Sequence, residues 1–221
     1  MQARMGSTRL PGKVLMPIGG MPLLEHILRR LETFKLSALP VIATTTLPQD
    51  DAIEEFCRKK GVSCFRGSRE NVLERYVRCA EKHEFDQVVR LTGDNPFTDM
   101  EELEALVSLH LKEGADFSHS FASLPVGVGA EVFTLDALHE SLEHASLPHH
   151  FEHVDEYMLE HPEAFRTLVH QAPETKRHPE LRLTVDTLED YERACAIVNA
   201  LGSDIRALTT ERIVKQCMRC A

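Results

Sequence analysis

From residue 39 to residue 92 the chain alternates short apolar segments with longer ones whose apolar residues recur at helical spacing, and this alternation constrains its fold most. Residues 39–45 predict a buried strand, 50–60 a helix, 62–66 a strand, 71–84 a helix and 87–92 a strand. Parallel strands need a crossover long enough to hold a helix, so repeated strand–helix units predict a parallel sheet covered by helices. Before them, Leu23, Leu24, Ile27, Leu28 and Leu31 share one helical face of residues 21–34, with Pro22 tolerated in the first turn. After them, residues 100–113 predict a helix and 116–120 a short strand, and the Pro- and Gly-containing stretch 124–129 breaks the pattern where a lobe could branch off. Residues 131–134 predict a strand, 135–145 and 150–160 helices, 182–185 a core strand, and 188–201 and 209–218 closing helices. Leu138, Leu142 and Met158 read as core residues of the helices that carry them. The expected architecture is α/β and doubly wound, one domain over residues 1–221 with a small lobe at 117–165.

A net charge of −10 opposes sequence-independent binding to nucleic acid, so the basic residues near the N-terminus read as a local feature suited to a small anion. No run approaches the ~20 apolar residues that span a bilayer, and no secretory leader pattern is visible; the expected compartment is the cytoplasm, with no membrane partner. Six irregularly spaced cysteines fit reduced thiols, and Cys217-Met-Arg-Cys220, a CxxC without a second pair, reads as incidental.

The richest chemistry lies between Gln2 and Lys13. Gly6 and Gly12 let the backbone turn and bring N–H groups toward anionic oxygens, Arg4, Arg9 and Lys13 supply positive charge, and Ser7 and Thr8 add hydroxyls. Together these suit a polyphosphate. The loop is not a Walker A motif, whose glycine spacing and Lys-Ser/Thr ending are missing, nor a GxGxxG turn. Lys13 is placed to stabilise charge developing on phosphate oxygens.

A triphosphate site also needs carboxylates for a divalent cation, and Mg²⁺ takes one or two of them at strand ends. Asp94 ends the apolar run Val88-Val-Arg-Leu-Thr-Gly93 and Asp186 follows Leu183-Thr-Val185. Asp94 could instead cap a helix or form a turn with Asn95-Pro96; the helix start at Thr187 to Asp190 does not require Asp186. Arg75 also fits an ordinary charged helix face. His149, His150 and His153 lack the glutamate of a zinc-protease motif and read as a polar helix surface, solvated or touching a substrate.

The loop, together with Phe65-Arg-Gly-Ser68 and Val72-Leu-Glu-Arg75, Arg90-Leu-Thr-Gly-Asp94, residues 127–133 and Leu183-Thr-Val-Asp-Thr-Leu-Glu-Asp190, resembles the cytidylyltransferases that activate sugars. The resemblance is to the spore coat polysaccharide biosynthesis branch, related to CMP-Kdo and CMP-sialic acid synthetases. It implies a Rossmann-like fold of the nucleotide-diphospho-sugar transferase type and transfer of CMP from CTP to an acidic sugar, with pyrophosphate release, for surface or spore-coat polysaccharide. It implies nucleotide contacts from Ala3, Arg4, Gly6, Ser7, Thr8, Arg9, Lys13, Arg75, Thr92 and Gly93, and catalytic roles for Lys13, Asp94 and Asp186. Mg²⁺ would sit on Asp94 and Asp186, Glu131 beside the acceptor sugar, and a homodimer contact in 117–165.

The chain departs from the family in three places. Asn95 stands where Cys or Glu is frequent, Gly129 replaces an aspartate two residues before Glu131, and only Met1 precedes Gln2 where several apolar residues form a first central strand. The expectation is a start upstream of Met1 or a trimmed chain, since loss of that strand exposes its neighbours' edges and removes support under the loop. Two other functions stay open: a glycosyltransferase using a nucleotide-sugar donor, and a nucleotide-binding protein with impaired catalysis.

Overall fold

The computed structural model describes residues 1–202, 204 and 208–220, with the Cys220 side chain of the CxxC pair outside the described residues. After the N-terminal loop, a 3₁₀ turn (Lys13–Leu15) leads to a small hairpin, β1 (Pro17–Ile18) with β2 (Met21–Pro22), and then α1 (Leu23–Leu31). The helix thus starts two residues later than its apolar spacing predicts, because Met21 and Pro22 pair with the preceding strand. The strand–helix repeats follow as β3 (Val41–Thr45), α2 (Asp51–Lys60), β4 (Ser63–Gly67), α3 (Val72–His83), β5 (Gln87–Arg90) and α4 (Met100–Glu113). Next come β6 (Phe117–His119), β7 (Glu131–Thr134), α5 (Leu135–His144), α6 (Pro148–Glu152), α7 (Glu156–Glu160), β8 (Thr167–Val169), α8 (Leu188–Leu201) and α9 (Thr210–Cys220).

The result is the expected α/β fold with a mostly parallel sheet. β3 and β4 pair in parallel, with Val41 opposite Ser63 and Thr45 opposite Gly67. β5 pairs with β7 and β7 with β6, both antiparallel, and β6 pairs in parallel with β8. Gln2 joins the two groups through parallel bridges to Ala43 of β3 and to Thr92 just beyond β5. Residues 1–3 therefore occupy the lane between β3 and β5: Ala43 N donates to Met1 O at 2.8 Å, Gln2 N to Leu91 O at 2.9 Å and Ala3 N to Ala43 O at 3.2 Å. The rest of that lane opens into an apolar cavity of about 790 Å³, bounded by Met1, Val41, Tyr76, Val89, Leu91 and Val132 among others.

Strand alternation sorts the core into two layers. Ile42, Leu91 and Val132 point toward α1, α2, α4 and α8, whereas Val88, Phe117 and Phe133 point toward α3, α5 and α7. Leu138 and Met158 are fully buried in the second layer, with Leu142 packed at its edge, as their spacing predicts.

Three expectations change, and one strand was not expected. Residues 150–160 form two short helices, α6 and α7, parted at His153 to Asp155. Residues 182–185 make no strand; Arg182 forms one parallel bridge to Val126, and Val185 N turns to donate to Asp94 O at 2.9 Å. β8, which three half-exposed residues made illegible, extends the sheet beyond β6. Residues 117–165, expected to branch away, begin as two strands of the sheet, and their helices share a core with α3.

Candidate active site

The loop is anchored before any ligand binds. Asp50, fully buried where β3 gives way to α2, accepts hydrogen bonds from Met5 N at 2.7 Å and Thr45 N at 3.3 Å, and from the Thr45 hydroxyl. Within the loop Ser7 N and Gly12 N both donate to Met5 O, at 3.0 and 2.9 Å, and the Ser7 hydroxyl accepts from Leu10 N at 3.3 Å. Ser7 is thus used in shaping the turn, while Arg4, Gly6, Thr8 and Arg9 remain exposed.

Lys13 is drawn inward. Its ammonium, almost fully buried, donates to Asp94 Oδ2 and to Asp186 Oδ1, each at 2.8 Å. Arg9 adds an ion pair to Asp186 Oδ1 at 3.0 Å, and Arg182 hydrogen-bonds Asp186 Oδ2. Burial raises the cost of charging Asp186, but the Lys13 hydrogen bond and the charges of Lys13, Arg9 and Arg182 outweigh it and hold its pKa below the ordinary value. Three elements distant in sequence, the loop and the segments after β5 and before α8, thus meet at one ammonium.

Each aspartate is positioned by backbone. Gly93 N donates to Gln2 O at 2.7 Å, and a Cβ at Gly93 would lie 2.9 Å from that oxygen, so only glycine lets the Asp94 segment pass the loop this closely. Asn95 N donates to Thr92 O at 3.1 Å, which turns the chain at Asp94, and the buried Arg30 clamps the turn through Nε to Pro96 O at 2.8 Å. Asp186 is set by a reciprocal cap: Asp190 N donates to the Thr187 hydroxyl at 3.2 Å, and Asp190 Oδ2 accepts from the N–H groups of Asp186 and Thr187 at 3.0 Å each.

Two further cations of the expected nucleotide set have partners that the sequence did not show. Arg4 pairs with Glu152 of α6, at 3.9 Å. Arg75 is buried rather than on a solvated helix face; its guanidinium donates to Ser68 O at 2.6 Å, leaving Nε without a partner. Burial lowers its pKa, as does the charge of Arg4, while Asp50 raises it. Arg75 therefore lies in the electrostatic surroundings of the loop.

Beside Asp94 a second pocket of about 340 Å³ is lined by Arg90, Thr92, Asn95, Phe121, Glu131 and Asp155, among others. Glu131, at the start of β7, faces Arg90 across the antiparallel pair and hydrogen-bonds it, and Arg90 also meets Asp155 at 3.5 Å. Burial pushes the Glu131 pKa up to about 7; Arg90 opposes the shift and Asp155 adds to it. Asp155 and Arg90 escaped sequence reasoning, since nothing local marks either for this pocket. A Cβ at Gly129 would lie 3.1 Å from the Ser120–Phe121 backbone, a tight contact that a side chain there would have to relieve by a small shift, and Asp155 brings a carboxylate to the pocket from another element.

The histidines do not form a zinc site. His149 and His150 each meet Glu160 through Nε2, at 2.7 and 2.8 Å, the one three-ligand cluster among the described residues. His150 Nδ1 accepts from Ser146 N and Leu147 N, at 3.3 and 3.4 Å, which places the ring proton on Nε2, where a metal would need a lone pair. The cluster is a hydrogen-bonded tie between α6 and α7. The fit for a divalent cation lies at Asp94 and Asp186, whose oxygens already converge on one positive charge; two carboxylates are what Mg²⁺ commonly takes from a protein.

A cationic, glycine-containing loop over a lysine shared by two aspartates, at the C-terminal ends of the central strands of a mostly parallel sheet, is the arrangement of a nucleotidyltransferase. The family model for cytidylyltransferases matches residues 1–215, and the chain belongs to that family. It is 40% identical to the spore coat polysaccharide biosynthesis protein SpsF of Bacillus subtilis over 206 residues, 91% of this chain and 85% of that protein. A solved cytidylyltransferase from Leptospira borgpetersenii superimposes with a TM-score of 0.90 at 35% identity, covering 99% of this chain and 92% of that one. A shorter match, 34% identical over 116 residues (52% of this chain, 47% of the relative), is to the 8-amino-3,8-dideoxy-manno-octulosonate cytidylyltransferase of Shewanella piezotolerans.

Proposed function

We propose that the enzyme transfers CMP from CTP to a sugar and releases pyrophosphate. The observation that carries this reading is the Lys13 ammonium held between Asp94 and Asp186 at 2.8 Å from each, beneath a loop whose Arg9 and Thr8 are exposed to a ligand. In-line displacement at the α-phosphorus asks little covalent chemistry of the protein; it requires alignment and stabilisation of charge on the phosphate oxygens. The loop would bind the β- and γ-phosphates through its cations and N–H groups, and Lys13, leaving the carboxylates as the triphosphate arrives, would stabilise charge at the α-phosphate and on departing pyrophosphate. Mg²⁺ would be held by Asp94 and Asp186, and when bound it neutralises phosphate charge that two carboxylates alone would repel. The acceptor sugar belongs in the pocket of Glu131 and Arg90, next to Asp94.

The name of the Bacillus relative points the product toward a reaction that transfers an activated sugar into spore-coat polysaccharide, with the enzyme itself in the cytoplasm where CTP is made. Among the described residues no helix is long and apolar enough to cross a membrane. A homodimer through residues 117–165 is part of the same reading, supported by exposed Leu147 and Leu159; a dimer mass in sedimentation velocity that Leu147→Asp with Leu159→Asp reduces to a monomer would support it, and a monomer at all concentrations would not.

The test of the reaction is pyrophosphate release with Mg²⁺, each of the four nucleoside triphosphates and a sugar panel. CTP-selective release that needs one acceptor supports transfer. Consumption of a nucleotide-sugar donor without pyrophosphate would overturn it in favour of a glycosyltransferase.

A further inference from the structure

The acceptor pocket carries charge information that the sequence did not show. Among the described residues one cation, Arg90, lines it, and it is already engaged: Glu131 and Asp155 both face it, and Gln2 Oε1 accepts from its Nε at 3.4 Å. Burial opposes the guanidinium's charge, yet Glu131 and Asp155 hold it above its ordinary pKa, so it stays ionised and engaged. Glu156 adds a third carboxylate to the lining, against one histidine, His153. Acceptor atoms are left over. Asn95 Oδ1 is buried without a hydrogen-bond partner, and Glu131, only 5% exposed, has no donor at Oε1 and turns toward the carboxyl of Asp155. Phe121, on the same wall and 38% exposed, offers an apolar ring face.

Buried acceptors without partners are costly, and a ligand that supplies donors removes that cost. A ligand carboxylate would do the opposite: it brings more acceptors and a like charge to Asp155 and Glu156, beside a Glu131 whose own ionisation burial already opposes, while the single guanidinium is committed. We infer that the acceptor is a sugar that turns hydrogen-bond donors, an ammonium or hydroxyls, into this pocket and keeps any carboxylate out of it, with Asp155 as the residue that enforces the choice. The inference rests on the reading of this pocket as the acceptor site, and it places the carboxylate of an acidic acceptor outside the Glu131 wall. It also gives Gly129 a consequence. The carboxylate missing at position 129 is supplied by Asp155 from the turn before α7, where it opposes Glu131 through the shared Arg90 instead of standing beside it in sequence.

Three hexose probes that differ in one group separate the possibilities: glucosamine (ammonium), glucose (hydroxyl) and glucuronate (carboxylate), with binding measured by saturation-transfer NMR or calorimetry without nucleotide. The expected result is glucosamine or glucose over glucuronate by about tenfold or more, with Asp155→Asn narrowing the ratio by a similar factor through tighter glucuronate binding. Glu131→Gln serves as a second variant with the same expected direction, and a CTP-induced rise in Tm checks that each variant keeps a folded nucleotide site. Preferred binding of glucuronate, a ratio unmoved by both folded variants, or no binding of any probe at millimolar concentration would overturn the inference. Because this readout needs no turnover, its failure is separable from that of the transfer reaction: absence of pyrophosphate release with every acceptor defeats the reaction and leaves the sugar-binding result to judge the pocket.

Discussion

Lys13 and the two aspartates form an internal ion pair, so in the proposed reaction the free enzyme would store the charge that it later applies to phosphate. Removing the ammonium by Lys13→Ala is expected to lower kcat by roughly 10²- to 10³-fold, the range seen when one preorganised charge donor is deleted. Asp94→Asn and Asp186→Asn are each expected to abolish Mg²⁺-dependent turnover, with unchanged circular dichroism; full activity in either would remove it from the site. Glu131 gives a pH prediction. Its native pKa, about 7, lies above its ordinary value of 4.5, so between those limits the native state binds more protons than the unfolded chain. Stability from this group is therefore full below pH 4.5, falls as pH rises toward 7 and is level above it. The shift corresponds to roughly 3 kcal/mol at most, and Glu131→Gln, which leaves Arg90 its Asp155 partner, is expected to remove that slope in urea unfolding at pH 5 and pH 8.

At the scale of elements, the loop depends on a residue that never meets the substrate. Asp50 receives the Met5 N–H and two groups of Thr45, tying the loop to the end of β3. Asp50→Ala leaves these donors unpaired in a buried place; it is expected to cost about 2–4 kcal/mol in chemical denaturation and to raise KM for CTP more than it lowers kcat. A KM unchanged in a folded variant would show that the loop holds its shape alone. Thr187 caps α8 and fixes Asp186 through Asp190, so Thr187→Ala is expected to cost about 1 kcal/mol and to reduce turnover as well. The His149–Glu160–His150 tie does similar work for α6 and α7, which carry Glu152 to Arg4 and bracket Asp155.

Across the whole molecule, the sheet is continuous only because residues 1–3 bridge β3 and β5, and the rest of that lane is an apolar cavity instead of a strand. The Met1 ammonium is buried there, donating to Val41 O at 2.8 Å, and burial lowers its pKa from 8.0 to about 6. The native state thus holds fewer protons than the unfolded chain between pH 8 and 6, and stability is expected to fall as pH drops through that window. A chain extended before Met1 by four or five β-branched apolar residues would replace the charge with a peptide group and fill the cavity with a strand. It is expected to have a higher Tm and to lose this pH dependence; an unchanged Tm would show that the lane does not accept a strand.

The sequence by itself determined the alternation of strands and helices, the burial of β3, and the types of group suited to a polyphosphate: Arg9, Lys13, Asp94 and Asp186 were all legible, because local spacing and strand-end position mark them. It also set the helix starts at Asn71, Asp99 and Thr187, whose side chains accept from N–H groups only two or three residues ahead. Only the tertiary structure decided that Lys13 bridges both aspartates, that Asp50 anchors the loop, that Arg75 is buried and that Asp155 shares Arg90 with Glu131. Those relations join residues far apart in sequence, and their strength comes from burial and from the number of charges around one group. Neither is set by a residue's immediate neighbours in the chain.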